Sequence, residues 1–135
     1  MRFFCDNCVP LRLARAINEL ERPDHDVVHL QDKFDASISD HDWLSGLTAE
    51  GAWVIVSADK RILRSPHLKG VWHKSGLTGF FLKNPWTRRQ LWEQAWMLIR
   101  RWPDIRNAAS TMSVGSGFFV PFGSSGKMEP IPIRN

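Results

Sequence analysis

The chain has 135 residues, 43% of them hydrophobic, with 18 Lys/Arg against 14 Asp/Glu. That length supports one domain with a proper core and is short of two, and its first apolar run is interrupted by Asp6, so neither a signal peptide nor a membrane span is expected. A cytoplasmic location follows, and the two cysteines, Cys5 and Cys8, are too few to staple a domain of this size and are expected as thiols. The net charge of +4 conceals a division. Residues 1–63 hold 7 Lys/Arg against 11 Asp/Glu, residues 64–106 hold 9 against 2, and residues 107–135 hold 2 against 1. An acidic front followed by a basic half suits a protein that holds a cation beside a polyanion.

The stretch Phe3-Phe4-Cys5-Asp6-Asn7-Cys8-Val9-Pro10 reads as a buried strand that empties into a polar turn. Pro10 then opens a helix over 10–21, because its missing N–H would have no intrahelical partner there and its φ already suits the helix. Leu11, Leu13, Ala14, Ile17 and Leu20 give that helix its apolar face. Pro23 and Asp24 break it, and His25-Asp26-Val27-Val28-His29-Leu30 is a second short strand. Strand, helix, strand implies a right-handed parallel crossover.

Ser39-Asp40-His41-Asp42 opens the next helix. Ser39 can accept from an early N–H while Asp42, three residues on, reaches back, and Gly51 ends the helix. The strand Ala52-Trp53-Val54-Ile55-Val56-Ser57 also finishes at a carboxylate, in Ala58-Asp59. A basic stretch with Arg64, Lys69 and Lys74 precedes a fourth strand, 77–82. The longest helix is expected over 87–102, with Leu91, Ala95, Leu98 and Trp102 in one row and Trp92, Trp96 and Ile99 beside it. Most of that face is core, and its tryptophans leave room for a self-association or partner surface. Residues 108–135, rich in Gly, Ser and Pro around Phe118-Phe119-Val120-Pro121-Phe122, read as a C-terminal hairpin or tail packed on or extending from the domain formed by residues 1–107.

Three acidic positions therefore share one address: Asp6 after the first strand, Asp59 after the third, and Asp40 with Asp42 at the helix start between them. In a parallel sheet these lie at the carboxyl edge, where ligands bind. Carboxylates gathered without matching cations repel one another unless a hard divalent cation joins them, and Mg²⁺ or Mn²⁺ takes such oxygen ligands. Taken singly, each has a plainer role: Asp6 caps a turn, Asp40 and Asp42 favour the positive end of a helix, and Asp59 caps the segment 60–63. Turn and helix caps do not require all of them on one edge.

In order and context, Phe-Phe-Cys-Asp6-Asn7-Cys-Val-Pro10, His25-Asp-Val-Val, Ser39-Asp40-His-Asp42-Trp-Leu and Val54-Ile-Val-Ser57-Ala-Asp59 resemble the PIN-like domains, specifically the short VapC-like toxins of toxin-antitoxin systems, over residues 2–105. The resemblance implies an α/β fold: a three-layer α/β/α sandwich around a mainly parallel sheet. It also implies a Mg²⁺- or Mn²⁺-dependent endoribonuclease held inactive by a cognate antitoxin protein. Asp6, Asp40 and Asp59 would then be metal-binding carboxylates and Asp42 a further ligand or proton acceptor. Asn7 and Ser57 would orient carboxylates or water. Arg12, Lys60 and Arg61 lie near the same edge and would hold RNA phosphates, with Arg88 and Arg89 more distant, the plainer role of any one of them being solvated surface charge. Many PIN relatives carry a further acid where this chain has Lys60-Arg61, so a single metal ion, or a second completed by substrate, is expected.

Other readings are weaker. Cys5-Asp6-Asn7-Cys8 has the spacing of a redox or zinc pair, but that reading leaves Asp40 and Asp59 unexplained. The helix-opening Asp40-x-Asp42 is similar to Toprim nucleases, which want a Glu where Asp6 stands, and a receiver domain would need an acid where Asn7 stands. Of the five histidines, His41, flanked by two acids, is the one of interest. The remaining alternative is a non-catalytic PIN-like module that binds RNA or protein, with a homodimer as one form.

Overall fold

The computed structural model describes residues 1–83, 85–112, 114–123 and 126–132. Parts of the expected tail, at 113, 124, 125 and 133–135, lie outside the described residues. The elements run β1 (Arg2–Cys5), α1 (Leu11–Glu21), β2 (Asp26–His29), α2 (Leu30–Lys33), α3 (Asp40–Glu50), β3 (Trp53–Ser57), α4 (Arg61–Arg64), α5 (Pro66–Ser75), β4 (Thr78–Leu82), α6 (Leu91–Thr111), β5 (Gly117–Val120) and β6 (Glu129–Pro130). The strands form one sheet in the order β2-β1-β3-β4-β5-β6. The pairings from β2 across to β5 are parallel, and β6 closes the edge antiparallel to β5. This is an α/β sandwich with a mainly parallel sheet at its centre.

Alternation along the strands explains the layers. Phe3 and Cys5, Val54 and Val56, Phe80 and Leu82, and Phe118 and Val120 join Leu13, Ala14 and Ile17 of α1 and Met97, Leu98, Trp102 and Ile105 of α6 in one core. The intervening residues Phe4, Trp53, Ile55 and Phe81 pack on the other face, against Trp43, Leu44 and Leu47 of α3 and Trp72 of α5. Every residue of β3 and of β4 is buried, as strands covered on both faces must be. Each fully buried large aliphatic or Phe side chain contributes roughly 1.5–3 kcal/mol to stability. Register partners Gly79 and Gly117 make room for Trp72, since a Cβ on Gly117 would stand 2.5 Å from the indole.

Two boundaries differ from those expected. Leu91–Thr111 is the long helix, and Trp86–Arg88 is a separate 3₁₀ turn, because Arg89 and Gln90 are extended. At the other end the helix runs through Pro103, carried by a buried stripe that continues past Trp102 to Ile105 and Ala108. Pro10 stands just before the first helical residue, its carbonyl accepting from Ala14 N–H at 3.1 Å. The segment expected as a hairpin or tail forms a hairpin, β5 and β6 pairing antiparallel, and β5 also joins the parallel sheet beside β4.

Candidate functional site at the carboxyl edge of the sheet

From β1 the chain crosses outward to β2 and then returns to β3 on the other side of β1, so the order reverses between β1 and β3. Crevices at such a switch point, outside the carboxyl ends of the strands, are where open α/β sheets bind ligands. Asp6 and Asp59 follow β1 and β3 at that point.

Asp6 is 3% exposed. One of its carboxylate oxygens accepts from Cys8 N–H at 3.0 Å, and the other accepts a short hydrogen bond from the Ser57 hydroxyl. The same hydroxyl accepts from Asp59 N–H at 2.9 Å, so Ser57 ties the ends of β1 and β3 together. Burial raises the Asp6 pKa to about 7; the Ser57 and Cys8 bonds work against that rise, and the charges of Asp59 and Asp40 add to it. Asp6 is thus held by neutral donors alone and faces two further carboxylates.

Asp59 is held differently. Its side chain is also largely buried, which works to raise its pKa. The Arg61 guanidinium outweighs that effect, donating to Asp59 through Nη2 at 2.5 Å and through Nε at 2.9 and 3.0 Å, while Arg61 N–H adds a further bond at 2.9 Å. The Asp59 pKa falls below the usual carboxylate value in consequence. Arg61 Nη2 also lies 3.6 Å from Asp40. Asp40, the first residue of α3, accepts from the Trp43 indole N–H at 3.0 Å, and that indole is buried in the core. Packing of Trp43 therefore fixes Asp40.

The other expected residues fall around or outside this group. Asp42 N–H donates to the Ser39 hydroxyl at 3.1 Å, but its carboxylate, 69% exposed, stands 3.4 Å from His41 Nδ1. His41 stacks on His67 with ring centroids 5.3 Å apart. Asn7 braces the loop before α3, donating to the Ala36 carbonyl at 3.0 Å and accepting from Gln31 at 3.1 Å. Arg12 lines an apolar groove between α1 and α6 with Leu13, Ala16, Leu91, Trp92, Ala95 and Ile99. Lys60 and Arg61 line an open basin of about 360 Å³ with Cys8, Ala58, Asp59 and Arg64. Reading the sequence did not find the Trp43 anchor or the reach of Arg61 to Asp40. The first had a signal, an acid followed three helical residues later by an indole donor.

Both cysteines are free. Burial pushes the Cys8 thiol up to about 12 and the Cys5 thiol also upward, Asp6 adding to both, so neither offers the thiolate a redox or zinc pair needs.

The donors at this edge are the hard oxygens that Mg²⁺ or Mn²⁺ takes. Their present spacing is not that of a cage: among the described residues no group of three or more His, Cys, Asp or Glu is set to hold a metal ion. The cation between Asp59 and Asp40 is the Arg61 guanidinium, which is 76% exposed and free on its outer side to turn away. The set therefore fits a divalent ion in kind, one that would share or take these oxygens from Arg61.

A parallel sheet whose switch point carries acids from two strand ends and an intervening helix start defines an α/β protein with an acidic edge site. The family described as a PIN like domain matches residues 1–84, a span that includes all three converging carboxylates, and the chain belongs to it. PIN-like domains are generally nucleases. No curated protein and no solved structure matches the chain. No helix among the described residues is long and apolar enough to cross a membrane.

Proposed function

We propose that the chain is an endoribonuclease that hydrolyses RNA phosphodiester bonds with the help of Mg²⁺ or Mn²⁺, acting as the toxin of a toxin-antitoxin pair in the cytoplasm. The observation that carries this reading is the convergence of Asp6, Asp40 and Asp59 at the switch point, with Asp6 buried and bonded only to uncharged donors. Asp6, Asp40 and Asp59 would hold the ion, which would supply an acidified water and offset charge on the leaving oxygen. Ser57 keeps the Asp6 carboxylate turned toward Asp59. Trp43 holds Asp40, 3.6 Å from Arg61, and Lys60 and Arg61 of the basin would meet a phosphate. A small antitoxin protein is the proposed partner, and pairing of two copies through the exposed Trp92 and Trp96 is a proposed form of the protein.

A second reading is favoured by one observation. Arg61 already neutralises Asp59 and lies beside Asp40, as a non-catalytic member of the family would have it. Such a protein would bind RNA or a protein partner without cutting. Incubation of a mixed-sequence RNA with purified protein in Mg²⁺ or Mn²⁺, in EDTA, and with the Asp6→Asn/Asp59→Asn variant separates the two. The nuclease reading expects cleavage that EDTA and the folded variant both abolish. Tight RNA binding with no cleavage in any metal would replace it with the binding module.

A further inference from the structure

The basin beside Asp59 does not end at Arg61. A second depression of about 340 Å³, lined by Lys60, Leu63, Arg64, Lys83 and Phe119, shares Lys60 and Arg64 with it. The two adjoin across Lys60 and Arg64 as one stretch of surface along the carboxyl edge. It runs from the β1 and β3 ends, marked by Cys8 and Asp59, to the ends of β4 and β5, marked by Lys83 and Phe119. Its chemistry changes along the way. The first part has a carboxylate in its wall, whereas the described lining of the second has an apolar floor and three cations, of which Lys83 is paired with Glu129.

Lys60 caps the start of the short helix α4 and Arg64 is its last residue, four residues on, so that both can face the same polyanion. Lys83 bonds to Glu129 at 3.1 Å and lies with its ammonium 5.7 Å from the Phe119 ring centroid. Phe119 is half-buried on the face away from α1 and α6, presenting part of an aromatic surface at the channel's end. Cations spaced beside an aromatic platform are the parts from which single-stranded nucleic acid sites are made: the cations follow the backbone and the ring takes a base.

We infer that Lys60, Arg64, Lys83 and Phe119 form a binding channel for single-stranded RNA, holding the nucleotides that flank the bond presented to Asp6, Asp40 and Asp59. This assignment rests on the proposed ribonuclease reading for the identity of the polyanion. It adds the direction in which the strand leaves the carboxylates, across β4 and β5 rather than toward β2. Lys60 and Arg64 contact phosphates; Lys83, already partnered by Glu129, sits beside a base stacked on Phe119.

The test is fluorescence anisotropy of a labelled 12-nucleotide single-stranded RNA in EDTA, so that binding is read without cleavage, over a range of salt concentrations. Lys60→Ala/Arg64→Ala is compared with a charge-matched control, Arg22→Ala/Lys74→Ala, whose residues lie toward the opposite edge of the sheet at the ends of α1 and α5. The channel pair should lose about tenfold or more in affinity. Its dependence of log K on log salt should flatten by roughly 1.4, about 0.7 for each lost phosphate contact. The control should keep the wild-type slope. Phe119→Leu should weaken binding several-fold with no change of slope, which separates stacking from charge. Circular dichroism checks each fold, and Arg64→Ala alone, at an exposed position, gives a single-site version of the same comparison.

Equal losses in channel and control pairs would mean diffuse attraction and overturn the channel. Unchanged binding by the channel pair, in a protein that still cuts RNA with Mn²⁺, would overturn the channel and leave the nuclease standing. No binding of the RNA by the wild type at low salt would overturn both.

Discussion

The ends of β1 and β3 are neighbours in the sheet, each closing on an aspartate, and their carboxylates have opposite fates. Asp6 is buried among uncharged donors and is pushed up to about 7, whereas Asp59 is gripped by Arg61 and pushed below its ordinary value. The two acids share a single hydroxyl, that of Ser57. Position in the fold therefore brings the acids together, but the nearest cation decides which is ionised, and one of the pair is left short of positive charge. Asp59 is satisfied by a cation of its own chain, and Asp6 is bonded only to the uncharged Ser57 and Cys8 donors.

The largest effect should come from removing the strand-end charges. Asp6→Asn or Asp59→Asn is expected to lower RNA cleavage on the order of 10³-fold or more, as does loss of a main electrostatic stabiliser of a transition state. Asp6→Asn also sharpens the contrast in stability. The folded-state pKa of Asp6, about 7, lies above its unfolded value. Its contribution to stability is therefore fully present below about pH 4, is lost as pH rises toward about 7, and changes no further above that. Metal-free stability of the wild type should fall between about pH 4 and 7, by up to about 4 kcal/mol in the limit of no relaxation, and that of Asp6→Asn should stay flatter.

Ser57→Ala breaks the link between the two ends. Asp6 loses the hydrogen bond that most lowers its pKa, and Asp59 N–H loses its acceptor. Cleavage should drop about 10–100-fold, the usual cost of losing a group that orients a ligand, and the pH-rate profile should shift upward. Arg61→Ala removes the asymmetry itself. Asp59 should titrate at higher pH, as read by carboxylate NMR, and Mn²⁺ should bind several-fold more tightly because no guanidinium competes for its oxygens. Asp42→Ala should do least. Its carboxylate is exposed beside His41, and a change within about 0.5 kcal/mol in stability is expected, as at most surface positions, with most cleavage retained.

Much of this edge was legible before the fold was known. Apolar runs stopping at Asp6 and Asp59, with a capped helix start at 39–42 between them, sufficed to put the acids on one side of a parallel sheet, since both strand ends and the crossover direction are local or handedness-bound properties. The choice between Asp40 and Asp42 was not legible. Both occupy the first turn of α3, and the Trp43 indole, pinned in the core, holds Asp40 near Arg61 while the Asp42 carboxylate stays exposed beside His41. The grip of Arg61 on Asp59 and Asp40 depends on a side-chain rotamer and on the approach of α3 to β3, neither of which leaves a mark in spacing. The long helix was misjudged at both ends for related reasons: a 3₁₀ turn imitates a helix start in sequence, and Pro103 sits within a stripe that tertiary packing carries through.

The proposed site would take its divalent cation through an ionised Asp6. Titration calorimetry of Mn²⁺ into the purified protein at pH 6 and pH 8 tests it most directly. The predicted result is about tenfold tighter binding at pH 8, because below pH 7 the ion must displace a proton from Asp6, with binding lost in Asp6→Asn/Asp59→Asn. Mn²⁺ affinity that is unchanged between the two pH values, or that persists in the folded double variant, would contradict it.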